Sequence, residues 1–153
     1  MRVFELKVPP VALAVAFAVV MWAASTSWSA VSFPLPGALI VAFLFGFVGG
    51  GIAAAGVFAF RQHQTTVNPM KPETASSIVT VGIYRFTRNP MYLGLAFALA
   101  GWAIYLANLA ALLIVPIFVA YMTQFQIKPE ERALLAKFGA DFTAYMAAVR
   151  RWL

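Results

Sequence analysis

The chain contains no cysteine. That excludes disulfides, thiolate metal sites and cysteine nucleophiles together, and it says little about the redox compartment. It also has a single histidine and five acidic residues, from which neither a Ser-His-Asp set, a metal-ligand cluster nor a phosphate-binding loop can be assembled. Charge itself is scarce. Only 10% of residues are Asp, Glu, Lys or Arg, against about 25% in a soluble domain. With 63% hydrophobic residues and a mean hydropathy of +0.85, the 153 residues read as one compact domain of an integral membrane protein.

The placement of the charges says more than their sum. Residues 8–60 and 89–127 carry none. All charges fall at the N-terminus (Arg2, Glu5, Lys7), in a connector at residues 61–88, or in the tail from Lys128 onward. A helix needs about 20 apolar residues to cross the hydrocarbon core, so each uncharged run accommodates two crossings. Four crossings put all three charged segments on one side, and the excess of Lys and Arg marks that side as cytoplasmic. The expected architecture is all-α: four transmembrane helices at about 9–25, 37–60, 90–106 and 109–126, and an amphipathic tail at about 129–151 on the cytoplasmic face. Both termini are then cytoplasmic, and the expected location is a bacterial inner membrane. A cleaved signal peptide is the competing reading of the first helix, given its basic start, apolar core and small residues near Ser29 and Ala30.

Glycines crowd the centre of the second helix (Gly46, Gly49, Gly50, Gly51, then Gly56), which suits close packing against a neighbour or room for a ligand. The connector holds His63, and Pro69 and Pro72 prevent a long helix there. Helices three and four share one run with Asn108 near its turn. About 17 residues each makes about 26 Å, short of a core of about 30 Å. Pro116 is expected to kink the fourth helix. In the tail, Gly139 ends a first segment and Asp141 is placed to cap a second.

Two short stretches concentrate chemistry. Arg88-Asn89-Pro90-Met91-Tyr92-Leu93-Gly94 sits where the connector turns apolar. Asn89 suits an N-cap and Pro90 the first helical position. The free N–H groups of that helix start, beside Arg88, make an anion site. Lys128-Pro129-Glu130-Glu131 is a second helix start, with acids that complement the helix dipole. As structural features alone, Arg88 anchors a helix at the headgroups and Glu130 and Glu131 stabilise a dipole.

Thr80-Val81-Gly82-Ile83-Tyr84-Arg85, the stretch from Arg88 to Gly94, and Glu130-Glu131 followed by Leu134 and Phe138-Gly139 resemble the membrane methyltransferase superfamily. Its members include isoprenylcysteine carboxyl methyltransferases and phosphatidylethanolamine N-methyltransferases. The resemblance covers roughly residues 61–151. Its signature is Arg-His-Pro-x-Tyr, a spacer, then Glu-Glu. Asn89 stands where the isoprenylcysteine branch carries His, and the phospholipid branch is similar to this chain in having Asn-Pro-Met-Tyr.

The resemblance implies S-adenosylmethionine as cofactor and a lipophilic methyl acceptor entering from the bilayer: a prenylcysteine-type carboxylate, a lipid amine or a thiol. It implies neither nucleic acid nor metal. The cofactor-binding residues expected are Tyr84, Asn89, Pro90, Tyr92, Gly94, Glu130 and Glu131. Arg88 and Asn89 would meet the cofactor's carboxylate, Glu130 and Glu131 its ammonium, Tyr84 or Tyr92 its sulfonium by cation–π attraction, and Gly94 would leave space. Arg88 and Glu131 are the catalytic candidates, Glu131 as base for an amine acceptor. Rival readings are a membrane NADPH-dependent reductase of the sterol-reductase type and a non-catalytic helical membrane protein. The oligomeric state is open.

Overall fold

The computed structural model describes residues 5–62 and 76–153. Among them the fold is all-helical: α1 (Pro10–Ser27), α2 (Ala38–Gln62), α3 (Pro90–Leu106), α4 (Leu109–Met122), a π-helical turn (Thr123–Ile127) and α5 (Lys128–Ala148). His63, Pro69 and Pro72 lie outside the described residues. Three helical stretches are long and apolar enough to cross a membrane: α1, α2, and the continuous run from α4 into α5. The shorter α3 has 17 residues and is equally apolar in character. α4 continues as helix through Pro116.

Proline sets several of the helix starts. Pro10 and Pro90 open α1 and α3, where a missing N–H costs nothing and the fixed φ suits a helix. α1, α3 and α4 share the core, in which Met21, Ala103, Ala111, Phe118, Met122 and Ile127 are completely buried. Phe17 of α1 meets Phe118 edge-on, with ring centroids 5.3 Å apart. α2 stands to one side and packs chiefly on α3. Its other face is bare: Phe47 is 83% exposed and Phe43 70%, which suits a surface whose solvent is lipid.

The α2–α3 contact is backbone against backbone. A Cβ on Gly49 would lie 2.6 Å from the carbonyl oxygen of Gly94, and one on Gly94 would lie 2.5 Å from that of Gly49. Gly101 approaches Ala42 in the same way, and Gly56 faces Pro90. These four glycines therefore pack helix on helix. Gly46, Gly50 and Gly51, by contrast, have open space where a Cβ would be. Gly94, expected to leave room for a cofactor, is filled in by Gly49 and Ala53 of α2.

At the end of the bundle away from Arg88, Asn108 ties two turns together. It is completely buried. Its amide donates to the Trp28 carbonyl (3.0 Å) and the Ser32 hydroxyl (2.9 Å), while its Oδ1 accepts from the N–H of Ala110 (2.9 Å) and Ala111 (3.3 Å). One side chain thus caps α4 and pins the α1–α2 turn. Asn108→Ala is expected to destabilise the protein by about 3 kcal/mol, combining a lost cap with unsatisfied buried groups. Melting curves in detergent check this, and an unchanged midpoint would refute it.

Candidate functional site

The site forms where the start of α3, the α4–α5 junction and the last residues of the chain converge. α3 begins at Pro90, with the Asn89 carbonyl accepting from the Leu93 N–H at 2.9 Å. Asn89 thus occupies the N-cap position. Its side chain, however, does not cap the helix. Its amide donates instead to the Arg151 carbonyl at 2.9 Å. The expected side-chain cap is absent: the Asn89 side chain is turned toward the last residues of the chain, where its Nδ2 finds its partner. Thr87, almost fully buried, accepts from the Asn89 N–H at 3.2 Å and donates to the same Arg151 carbonyl at 3.4 Å.

The second half of the site follows from a proline. In a continuous α-helix residue 129 would donate to the carbonyl of Phe125, and Pro129 has no N–H to give. The backbone passes through a π-helical turn just before it, and the Leu6 N–H donates to the Phe125 carbonyl from outside at 3.2 Å. Glu5 reinforces that docking through an ion pair with Arg132. π-helical turns re-aim the side chains that follow them. Here Gln126 and Glu130, four residues apart, both turn toward Tyr92 on α3.

Glu130 accepts from the Tyr92 hydroxyl and from Gln126 Nε2 (2.7 Å), and both bonds use Oε1. Burial pushes its carboxyl up to about 7, the two hydrogen bonds pull it back, and neighbouring Glu131 pushes it up again. Glu131 is held differently. Arg88 Nη2 lies 2.9 Å from its Oε1. Arg151 forms a two-pronged pair with it, Nε to Oε1 at 3.0 Å and Nη2 to Oε2 at 2.7 Å. Two cations thus share one carboxylate, leaving a local excess of positive charge. Arg88 has a side chain only 10% exposed, and its Nε is buried without a hydrogen-bond partner.

The tail closes over this group. The Arg88 N–H donates to the Arg150 carbonyl (3.1 Å), the Trp152 indole N–H to the Thr123 hydroxyl (3.0 Å) and the Tyr145 hydroxyl to the Tyr84 carbonyl (2.8 Å). Burial holds the hydroxyls of both Tyr84 and Tyr145 well above the usual phenol range, so both stay protonated. Gly139, in a left-handed conformation (φ 51°), kinks α5 and brings its second half back toward Tyr84.

The structure therefore brings Arg88, Asn89, Tyr92, Glu130 and Glu131 together. Tyr84 is buried beside them, with its ring against Phe60 of α2 (centroids 5.2 Å apart). Pro90 faces Gly56, and Gly94 faces α2. Gln126, Thr87 and Arg151 were not singled out from the sequence. Gln126 was findable there, as a polar side chain inside an apolar run and one turn before Glu130. Arg151, 20 residues beyond Glu131, carried no local signal.

Three comparisons with known proteins bear on this arrangement. The phospholipid methyltransferase family matches residues 37–141. An uncharacterized protein of Haemophilus influenzae is 46% identical over 63 residues, which are 41% of this chain and the whole of that protein. No solved structure matches significantly. The family match spans α2, α3, α4 and the whole first segment of α5, so both Arg88 and Glu131 lie inside it. The chain belongs to the phospholipid methyltransferase family.

Proposed function

We propose that this protein transfers methyl groups from S-adenosylmethionine to a lipophilic acceptor at the cytoplasmic membrane face. Four crossings would place both termini in the cytoplasm. The observation that carries the cofactor reading is the buried guanidinium of Arg88, whose Nε–H has no partner. An unpaired buried donor costs free energy unless a ligand satisfies it. Beside it, the first-turn N–H groups of α3 have no side-chain cap, so a carboxylate would meet a cation and a helix start together.

The other charge of the cofactor's amino-acid end has a counterpart too. Glu130 uses Oε1 for Tyr92 and Gln126, and its Oε2 is the natural partner for an ammonium. Glu131, with both oxygens held by guanidinium groups, would act by fixing Arg88 rather than as a base. Tyr84 and Tyr92 would form the aromatic wall of the site. When bound, S-adenosylmethionine supplies an activated methyl group. The chain's own contribution is then alignment and exclusion of water, which transfer to a carboxylate, thiolate or neutral amine requires. The acceptor, a lipid amine, a prenylcysteine-type carboxylate or a thiol, would reach the site laterally from the bilayer.

Titration of the purified protein with S-adenosylhomocysteine tests the reading. Binding is expected in the wild type and its loss in Glu130→Ala plus Glu131→Ala; undiminished binding in the double variant would sink it. The pH dependence has a definite sign. Glu130 is an anion only above about 7, and an incoming ammonium favours the anion. Affinity is therefore expected to rise between about pH 6 and about pH 8.

A further inference from the structure

The local charge count at the mouth of the site carries one more step, which rests on the cofactor reading above. Arg88 and Arg151 share Glu131, but unequally. Arg151 takes both carboxylate oxygens in the two-pronged geometry, at 3.0 and 2.7 Å. Arg88 makes a single contact at 2.9 Å and keeps a buried, unpartnered Nε. The paired geometry is the stronger of the two. Arg151 is also the more exposed, its side chain 34% accessible against 10% for Arg88. The deeper guanidinium is thus the one left with bonding capacity.

The backbone around Arg151 is fixed to match. Its carbonyl accepts from Asn89 and Thr87, the carbonyl of Arg150 accepts from the Arg88 N–H, and Trp152 donates to Thr123. These bonds tie residues 150–152 to the start of α3 and to the π-helical turn, the two elements that carry the site. They lie beyond residue 141, where the family match ends.

We propose that Arg151 is a positioning residue for ligand-carboxylate binding: by saturating Glu131 it leaves Arg88 free to receive a carboxylate from outside. Among the described residues, Glu131 is the only carboxylate ion-paired with Arg88, and without Arg151 it would have no other cation to bind. The guanidinium then closes onto it as an isolated pair, and the excess positive charge disappears. The ligand class is an amino acid-bearing molecule whose carboxylate enters between Arg88 and the first turn of α3.

The test separates this role from a merely structural one by comparing two ligands. S-adenosylhomocysteine carries the carboxylate; its decarboxylated analogue, S-adenosyl-3-thiopropylamine, keeps the adenosine and the amine and lacks it. Both affinities are measured by displacement of labelled S-adenosylhomocysteine from full-length wild type, Arg151→Met and Arg151→Lys in one detergent, beside melting curves. The wild type is expected to prefer S-adenosylhomocysteine. In Arg151→Met that preference is expected to shrink by about tenfold through loss of S-adenosylhomocysteine affinity, one charge-assisted contact's worth. Arg151→Lys should fall between, since it keeps the charge without the two-pronged geometry.

An unchanged preference, or equal losses for both ligands, overturns the proposal and leaves the cofactor reading standing. A wild type that binds no labelled S-adenosylhomocysteine overturns both. Should Arg151→Met not fold, the same comparison on Arg151→Lys decides.

Discussion

Glu131→Ala is expected to destabilise the protein by about 3 kcal/mol and to abolish methyl transfer. The carboxylate binds Arg88 and Arg151 at once, so its removal strands two cations. Breaking one buried pair costs about 3–5 kcal/mol, chiefly from the charge left behind. The side chains here are 10% (Arg88), 14% (Glu131) and 34% (Arg151) exposed, so solvent offsets part of that for Arg151. Arg88, the least exposed of the three, carries most of the penalty.

The loss is expected to be non-additive with Arg151. In Glu131→Ala plus Arg151→Met one stranded cation is gone, and part of the stability returns. Denaturation in detergent of both single variants and the double variant measures this coupling. Purely additive losses would mean that Glu131 and Arg151 do not act as a pair.

Gly94→Ala is expected to lower stability by about 2–3 kcal/mol, the upper range for forcing extra volume into a close-packed contact. The new methyl would sit 2.5 Å from the Gly49 carbonyl oxygen and 2.8 Å from the Ala53 Cβ. Backbone carbonyls cannot swing aside as a flexible side chain can, so α2 and α3 must separate. Gly101→Ala is expected to cost less, its nearest neighbour lying at 2.9 Å.

Gly50→Ala serves as the control. Nothing lies within 4 Å of its Cβ position, and replacing a helical glycine by alanine is intrinsically favourable by up to about 1 kcal/mol. The melting order Gly50→Ala, Gly101→Ala, Gly94→Ala checks the packing directly. Because Gly94 is one turn from Pro90, activity should fall with stability along the same order. A Gly94→Ala protein as stable as wild type would contradict the backbone contact.

Much of the helical framework was legible because single residues announce it. Pro90 right after Asn89 is suited to open a helix, Asn108 is suited to cap one, and uncharged runs long enough for the bilayer say which segments are apolar. Gly139 marked the break in α5 because few other residues tolerate a positive φ. The site was legible in part. Arg88 and the Glu130-Glu131 pair carried a charge signal within otherwise neutral sequence. What that charge is paired with was not visible, since Asn89, a good helix cap by type, spends its amide on a carbonyl 62 residues away.

The sequence by itself determined that this is an all-helical, lipid-compatible chain with a cationic helix start at Arg88 and an acidic one at Glu130. Charge scarcity, proline placement and apolar run length are local properties, and local properties are readable one residue at a time. Only the tertiary structure decided that Gly94 serves packing on α2, that Glu130 and Glu131 have different partners, and that Arg151 pairs with Glu131. The physical reason is that hydrogen bonds and ion pairs are made by whichever groups the fold brings within about 3 Å. Here the π-helical turn before Pro129 and the kink at Gly139 aim side chains that composition and spacing leave undirected.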